Sequence, residues 1–433
     1  MRLWELPLTL HAILIPIGSA GDVHPFVGLG TALRKRGHRV TVVTNGHFGP
    51  LVRRAGLDFV ELGTEDEYQF VLNDPQLWEP TGGFKLVVKW AILKGMRPTY
   101  EILQTLNEPG ETVVAAQASA FGARIAHETL GIPLVTVNLQ PALMRSVHEP
   151  PALGPLPLSS SLPAAWNRLL YWLADTRIID PLLAPEANAF RAELGLPPVR
   201  RFLAGWWQSP ERILGLFPGW FAPPQRDWPS QTTLTGFPLY DESDVEPPSP
   251  EVEAFLAGGP PPIVFTPGSA MRHGRAFFEA AIDASLRLGR RAMLLSRFRD
   301  QLPATLPEGI GWFGFVPFSR VFPRAAAIVH HGGIGTTAQG LAAGVPQFIM
   351  PMAHDQFDNA ARLVRLQVAR SLPPRRFQGA PLARGLAELL NSPVVADQCR
   401  RHAQLLRNAD PLEASCQVLE RALEGRQRRA VPS

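Results

Sequence analysis

Two cysteines in 433 residues, Cys399 and Cys416, exclude a disulfide framework and a cysteine-rich metal site. Reduced thiols in a cytoplasmic protein are the expectation that follows. No uninterrupted apolar stretch reaches the roughly 20 residues that a membrane-crossing helix needs. The apolar leader Met1 to Leu10 is broken by Glu5 and Pro7 and runs into a strand without a convincing cleavage site, so it reads as an N-terminal extension rather than an export signal. Charge is also scarce, at 18% of residues with a formal net charge of +4, which is no footprint for nucleic acid. Arg426, Arg428 and Arg429 cluster near the C-terminus; a solvated tail is the plain reading, and attraction to an acidic membrane face is the other. No run of carboxylates demands a divalent metal. The first loop offers Gly18 and Gly21 but no complete G-x-G-x-x-G, which counts against a nicotinamide-dependent dehydrogenase.

What the chain does have is apolar residues, 45% of the total, over a length that exceeds what one core usually serves, so two domains are expected. The first half opens with an apolar strand from His11 to Ile17, a glycine-containing loop, and a helix entered at Pro25 on which Phe26, Leu29 and Leu33 recur at helical spacing. Strands at 40–43, 112–115 and 133–137 continue a doubly wound sheet. Residues 150–196 are rich in proline, tryptophan and leucine and read either as ordinary core or as the walls of a site for an oily ligand. The acidic, proline-rich segment 241–250 reads as a surface linker. A second α/β unit then starts with a strand at 263–266, a helix near 276–288 and a strand at 291–295, and an amphipathic helix occupies 412–424.

The densest signal lies in this second unit. Ile328-Val329-His330-His331-Gly332-Gly333-Ile334-Gly335-Thr336-Thr337 reads as a strand, a glycine-rich turn and a helix starting near Thr336. A second strand then delivers His354, Asp355 and Gln356. Glycines at 332, 333 and 335 let backbone N–H groups approach an anion closely, Thr336 can cap the helix or offer its hydroxyl, and neutral His331 can donate one hydrogen bond. Without further context, a bland structural turn is an equal reading.

This stretch resembles the nucleotide-sugar signature of the family 1 glycosyltransferases of GT-B fold, and the flanks extend the likeness. Gly314-Phe315-Val316-Pro317-Phe318 matches the segment lying against the nucleotide base, and Asp355-Gln356 matches the pair that grips sugar hydroxyls. Ile15 to Phe26, Gly236-Phe237-Pro238-Leu239 and Ala353 to Ala360 are most similar to bacterial rhamnosyltransferases of the rhamnolipid type, with sterol and glycopeptide glycosyltransferases further off. The resemblance implies two Rossmann-like domains facing a cleft: 1–240 for the acceptor, a linker at 241–250, 251–411 for the donor, and 412–433 crossing back. It implies no cofactor beyond a donor substrate, a dTDP- or UDP-sugar, and a hydrophobic small-molecule or lipid acceptor. Peripheral attachment at the inner face of a membrane is compatible with it.

On the same grounds Asp22 is the candidate base, with His24 beside it as a second candidate or an acceptor contact. Helix capping is the bland role for Asp22. Gly18, Ser19, Gly21, Ser269, Phe315, Val316, His331, Gly333, Gly335, Thr336, Gln339, His354, Asp355 and Gln356 are expected around the donor. Ser269 is either a phosphate ligand or a loop cap. His354 either meets the sugar or orients Asp355, and Asp355 with Gln356 alternatively caps the next helix. Two positions depart from the family pattern. Ala116-Gln117-Ala118-Ser119 stands where plant-type members carry an aspartate that relays to the base, and Gln339 stands where they carry a glutamate for ribose.

Overall fold

The computed structural model describes residues 9–153, 156–243 and 247–430. Most of the N-terminal leader, and residues 244–246 of the acidic segment, lie outside the described residues. So do the side chains of Arg426, Arg428 and Arg429.

Two all-parallel sheets organise the chain. The first contains β1 (His11–Ile15), β2 (Arg39–Thr44), β3 (Asp58–Glu61), β4 (Thr112–Gln117), β5 (Leu134–Asn138), β6 (Arg212–Gly215) and β7 (Thr232–Leu234), in the order β3-β2-β1-β4-β5-β6-β7. The second contains β8 (Ile263–Thr266), β9 (Ala292–Leu295), β10 (Ile310–Phe313), β11 (Ala327–His330), β12 (Gln347–Ile349) and β13 (Ala369–Ser371), in the order β10-β9-β8-β11-β12-β13. Both place a topological switch point between two central strands, β1/β4 and β8/β11, where an open parallel sheet binds its ligand. Central strands such as β1 and β8 are buried along their whole length, as helices on both faces require. The architecture is two Rossmann-like units of GT-B type.

Register decides which loops meet. Ile15 pairs with Ala116, so the loop after β1 runs beside Gln117, and His330 pairs with Thr266, so Gly268 and Ser269 lie beside His331.

The helix α1 (Ala20–Lys35) begins five residues before the expected entry at Pro25. The Ser19 carbonyl already collects the N–H groups of Asp22 and Val23, at 2.9 and 3.1 Å. Pro25 sits inside the helix and removes only one bond, the one its own nitrogen would have made to Gly21. Similarly, the helix after the glycine turn starts at Ile334, not at Thr336, with Gly333 as its N-cap.

The C-terminal helix Pro411–Ala430 returns to the first sheet and packs on α1, β4, β5 and β6. Cys416, Leu419 and Leu423 enter the same core cluster as Leu33 and Val42. Arg36 holds the helix from outside, donating to Glu420 at 2.7 and 2.8 Å and to Glu413 at 2.7 Å. The expected surface linker is also tied down where it is described. Buried Glu242 accepts from Arg54 at 2.7 Å, and Asp241 accepts from the Ser319 N–H of the second unit at 2.7 Å. Glu242, whose other partner is His24, thus ties the segment to the first unit, and Asp241 ties it to the second.

Leu419 is fully buried, and the helix that carries it can collapse only partly around a lost side chain. Leu419→Ala is expected to destabilise the N-terminal unit by about 2–5 kcal/mol, read as a lower urea midpoint in chemical denaturation.

Candidate active site

Gly18 opens the N-terminal half of the site at φ +139°, a backbone that L side chains rarely adopt, and a Cβ there would lie 2.3 Å from Asp22 Oδ2. The loop therefore folds over the Asp22 carboxylate. Ser19 N–H donates to Oδ2 at 2.8 Å, the Ser19 hydroxyl donates to the same oxygen at 3.2 Å, and the Gln117 amide donates to Oδ1 at 3.2 Å. The bond to Ser19 N–H is the capping role that sequence allowed, and it leaves further lone pairs on each carboxylate oxygen. Desolvation in the cleft pushes the Asp22 pKa up from its ordinary value, and the bonds from Ser19 and Gln117 pull against it.

Gln117 is the residue that sequence reasoning saw only as a missing acid. It is buried at the end of β4, with its oxygen accepting the Ile17 N–H at 2.5 Å and its nitrogen turned to Asp22. An amide can bridge a donor and a carboxylate in this way, whereas a carboxylate at the same place would face Asp22 with like charge. His24 is engaged differently. Its Nδ1 lies 2.7 Å from the Ala20 carbonyl and its Nε2 3.3 Å from Glu242, so both ring nitrogens face acceptors.

In the C-terminal half, His330 fixes the glycine turn and His331 fills it. The buried His330 accepts the Gly332 N–H on Nδ1 at 3.1 Å, which leaves Nε2–H to donate to Gln347 at 2.8 Å. The His331 imidazole lies between Gly268 and Gly333, where added Cβ atoms would come within 2.6 and 2.5 Å of the ring. Its Nδ1 is buried without a partner, and burial together with the neighbouring His354 pushes its pKa down to about 4. The ring is thus neutral near pH 7, as the hydrogen-bonding role requires. Ahead of it, the first-turn N–H groups of the 334–343 helix have no carbonyl of that helix to bond, the arrangement that suits an anion. Thr336 and Gln339 of this helix, the exposed Ser269 turn and the aromatic Phe315 line the same cleft. Val316 also borders the cleft, with a side chain that is buried in the core of the second unit.

The 354–356 segment departs from expectation in detail. His354 adopts φ +56° and sets Nε2 3.1 Å from the Leu77 carbonyl of the first unit, so it does not orient Asp355. Asp355 makes no side-chain cap to the following helix (Gln356–Arg365); it accepts from Asn359 at 2.6 Å, while Asn359 also donates to the Gly332 carbonyl at 2.9 Å. Burial, and then the Asp22 charge, push the Asp355 pKa up to about 7. The Gln356 oxygen accepts the N–H groups of Met352 and Ala353 at 2.8 and 3.1 Å, which leaves its amide N–H groups as the part able to reach a ligand. Trp78, which no sequence pattern flagged, stands edge-on to both His331 and His354, with ring centroids 6.4 and 6.2 Å away.

The two halves meet at their glycines. A Cβ on Gly335 would sit 3.4 Å from the Gly21 Cα, so the N-termini of α1 and of the 334–343 helix converge on one place. Around them opens a cavity of about 1190 Å³. Beyond the polar end its walls are apolar, including Phe84, Ile92, Leu143, Ile179 and Trp207, and part of the 150–196 region supplies them. No group of three or more His, Cys, Asp or Glu among the described residues could hold a metal ion.

Comparison with known proteins places this geometry. Residues 12–149 match the glycosyltransferase family 28 N-terminal domain, and residues 293–419 match the erythromycin biosynthesis protein CIII-like C-terminal domain. The fold is shared with the glycotransferase of kitacinnamycin (TM-score 0.74, 22% identity, 96% of this chain and 100% of that one). It is shared too with the spinosyn rhamnosyltransferase SpnG complexed with thymidine diphosphate (TM-score 0.67, 18% identity, 95% and 100%). The O-mycaminosyltylonolide 6-deoxyallosyltransferase of Streptomyces fradiae is 31% identical over 96% of this chain and 98% of its own. A sterol 3-beta-glucosyltransferase of Arabidopsis thaliana is 28% identical over 80% of this chain and 55% of its own. With a relative of that identity along nearly its whole length, this chain belongs to the GT-B glycosyltransferases that move a sugar from a nucleotide to an acceptor.

Proposed function

We propose that the protein transfers a 6-deoxyhexose, rhamnose first among them, from a thymidine-linked donor to a hydroxyl of a large apolar acceptor, with inversion at the anomeric carbon. The observation that carries this reading is the convergence of Gly21 and Gly335, which sets a desolvated carboxylate opposite an anion-binding helix start. Asp22 takes the acceptor proton as the acceptor oxygen bonds to the anomeric carbon. The bond from that carbon to the diphosphate breaks, and the leaving oxygen keeps the electron pair. Backbone N–H groups at the start of the 334–343 helix, the His331 ring and Ser269 receive the charge on the leaving diphosphate. Asp355 and the Gln356 amide hold sugar hydroxyls, and Phe315 lies against the base. We assign the base role to Asp22 over His24 because both His24 nitrogens already face acceptors. Gln339 offers ribose a neutral hydrogen bond.

Among acceptors, a hydroxylated fatty-acid lipid fits the rhamnolipid-like motifs. A macrolide or another polycyclic acceptor is the second reading, favoured by the 31% identical relative, whose name gives a macrolide-derived acceptor, and by the size of the apolar cavity. The deciding experiment offers thymidine-linked rhamnose and uridine-linked glucose separately against hydroxylated lipid, sterol, macrolide and flavonoid acceptors, with products identified by mass spectrometry. Rhamnose on the lipid supports the first reading. Sugar on the macrolide or sterol moves the acceptor to the second, and donor binding without any product defeats the catalytic assignment.

Asp22→Asn should leave nucleotide binding in place while turnover falls by about 10²–10⁴-fold. Unchanged turnover at saturating donor would remove Asp22 from the base role.

The pH dependence follows from the same carboxylate. Turnover needs Asp22 ionised, so it falls as pH drops through a pKa that lies above the ordinary aspartate value. Gln117→Leu removes a donor that favours the charged form, so the acidic limb of kcat/KM should move to higher pH. A variant that loses rate with its limb unmoved would show Gln117 to be structural only.

A further inference from the structure

The helix Ala164–Ala174 and the π-helical turn Asp175–Ile179 that continues it are built inside out. Trp166, Leu169, Trp172 and Leu173 are 38–49% exposed, while Asn167 and Asp175 on the opposite side are fully buried. The buried polar groups are held from within the fold, except that Asp175 Oδ2 has no hydrogen-bond partner and faces only Arg201 at 3.6 Å. Asn167 donates to the carbonyls of Val147 and Ser159 at 3.0 and 2.8 Å, and Asp175 accepts from Arg145 at 2.7 Å. A helix packed on a core for stability alone would present the reverse pattern. The outward residues therefore form one contiguous apolar face, the kind that marks an interaction surface rather than scattered exposure.

Charge and position say what covers it. Asp175 is the only acid between 164 and 179 and it is buried, so the exposed charges of the run are the cations Arg168 and Arg177, with exposed Arg201 beside Asp175 at 3.6 Å. Two tryptophans on an apolar face flanked by arginines are the chemistry of a helix lying in the headgroup region of an anionic bilayer. A second copy of the chain fits less well, because a two-fold contact through this face would bring its arginines toward their own copies. On its inner side the same run contributes Tyr171, Ala174, Ile178 and Ile179 to the wall of the cleft cavity. The surface and the cavity are thus two faces of one helix. No helix among the described residues is long and apolar enough to cross a membrane, so the contact is one of lying on the surface.

We infer that the exposed face of residues 164–177 docks the protein on an anionic lipid surface, with its apolar cavity opening behind the docked helix. This goes beyond the transfer reaction, and its test needs no turnover. The full-length chain is sedimented with phosphatidylcholine vesicles that contain or lack phosphatidylglycerol, at low and high salt. Binding is expected with the anionic vesicles, weakened by salt. The exposed double variant Trp166→Gln/Trp172→Gln should weaken it by roughly tenfold or more, and Arg168→Glu/Arg177→Glu should do the same without touching the apolar face. Thermal melting and light scattering of each variant report fold and oligomeric state. Absence of binding to anionic vesicles by the unsubstituted chain overturns the proposal, and a dimer that the tryptophan variant dissociates would identify a second copy as the occupant instead. Binding unaffected by either folded variant would also overturn it, since the contact would then lie elsewhere on the molecule.

Discussion

Two helices begin at the same place. Each N-terminus carries a partial positive charge and N–H groups with no carbonyl of their own helix to bond, and α1 and the 334–343 helix point these ends into one cleft from opposite sheets. Such an arrangement favours something negative between them. On the α1 side that charge is built in as Asp22, whose position is fixed by Ser19 and Gln117. On the other side no carboxylate caps the helix, and a diphosphate is the anion whose shape matches a glycine turn. Close approach of the two ends depends on Gly21 and Gly335 having no side chains.

The electrostatics of the cleft follow from this asymmetry. Asp22 and Asp355 face the same space, and the charge of the first helps push up the pKa of the second. One carboxylate is therefore readily charged when the other is not, which is how neighbouring acids come to serve different tasks. His331 and His354 sit on the same side, are both shifted toward the neutral form, and offer hydrogen bonds without adding fixed positive charge. The glutamine beside Asp22 keeps the local count of negative charges low. It holds the Asp22 carboxylate in place while adding no second carboxylate beside it.

The fold was legible because its signals are local. Apolar strands, glycine turns and helical spacing set the two Rossmann-like units, and the glycine run near 332 marks the turn that opens the 334–343 helix. Proline and threonine are favoured near N-termini, which points to helix starts at Pro25 and Thr336, whereas the observed starts are set by which carbonyl first collects N–H groups. Asp22 and His331 stand out in sequence because the chemistry proposed for them belongs to the side chain itself. It was illegible where the task depends on register or on a partner from the other unit. Gln117 reads only as a missing acid until Ile15 is paired with Ala116, Glu242 gains meaning only when it folds back on His24, and Trp78 only when the two units close.

The crossing of the C-terminal helix has a consequence for how the chain is made. Residues of the first sheet are complete at Leu234, yet the core they form is filled by Leu419 and Leu423. At ribosomal rates of about 5–20 residues per second, the nascent first unit waits on the order of ten to forty seconds for its last wall. During that interval an apolar groove on α1, β4 and β5 stands open. The second unit, whose strands and connecting helices lie between residues 250 and 407, can assemble in the meantime. Biogenesis therefore runs against chain order, with the unit translated first being the one sealed last.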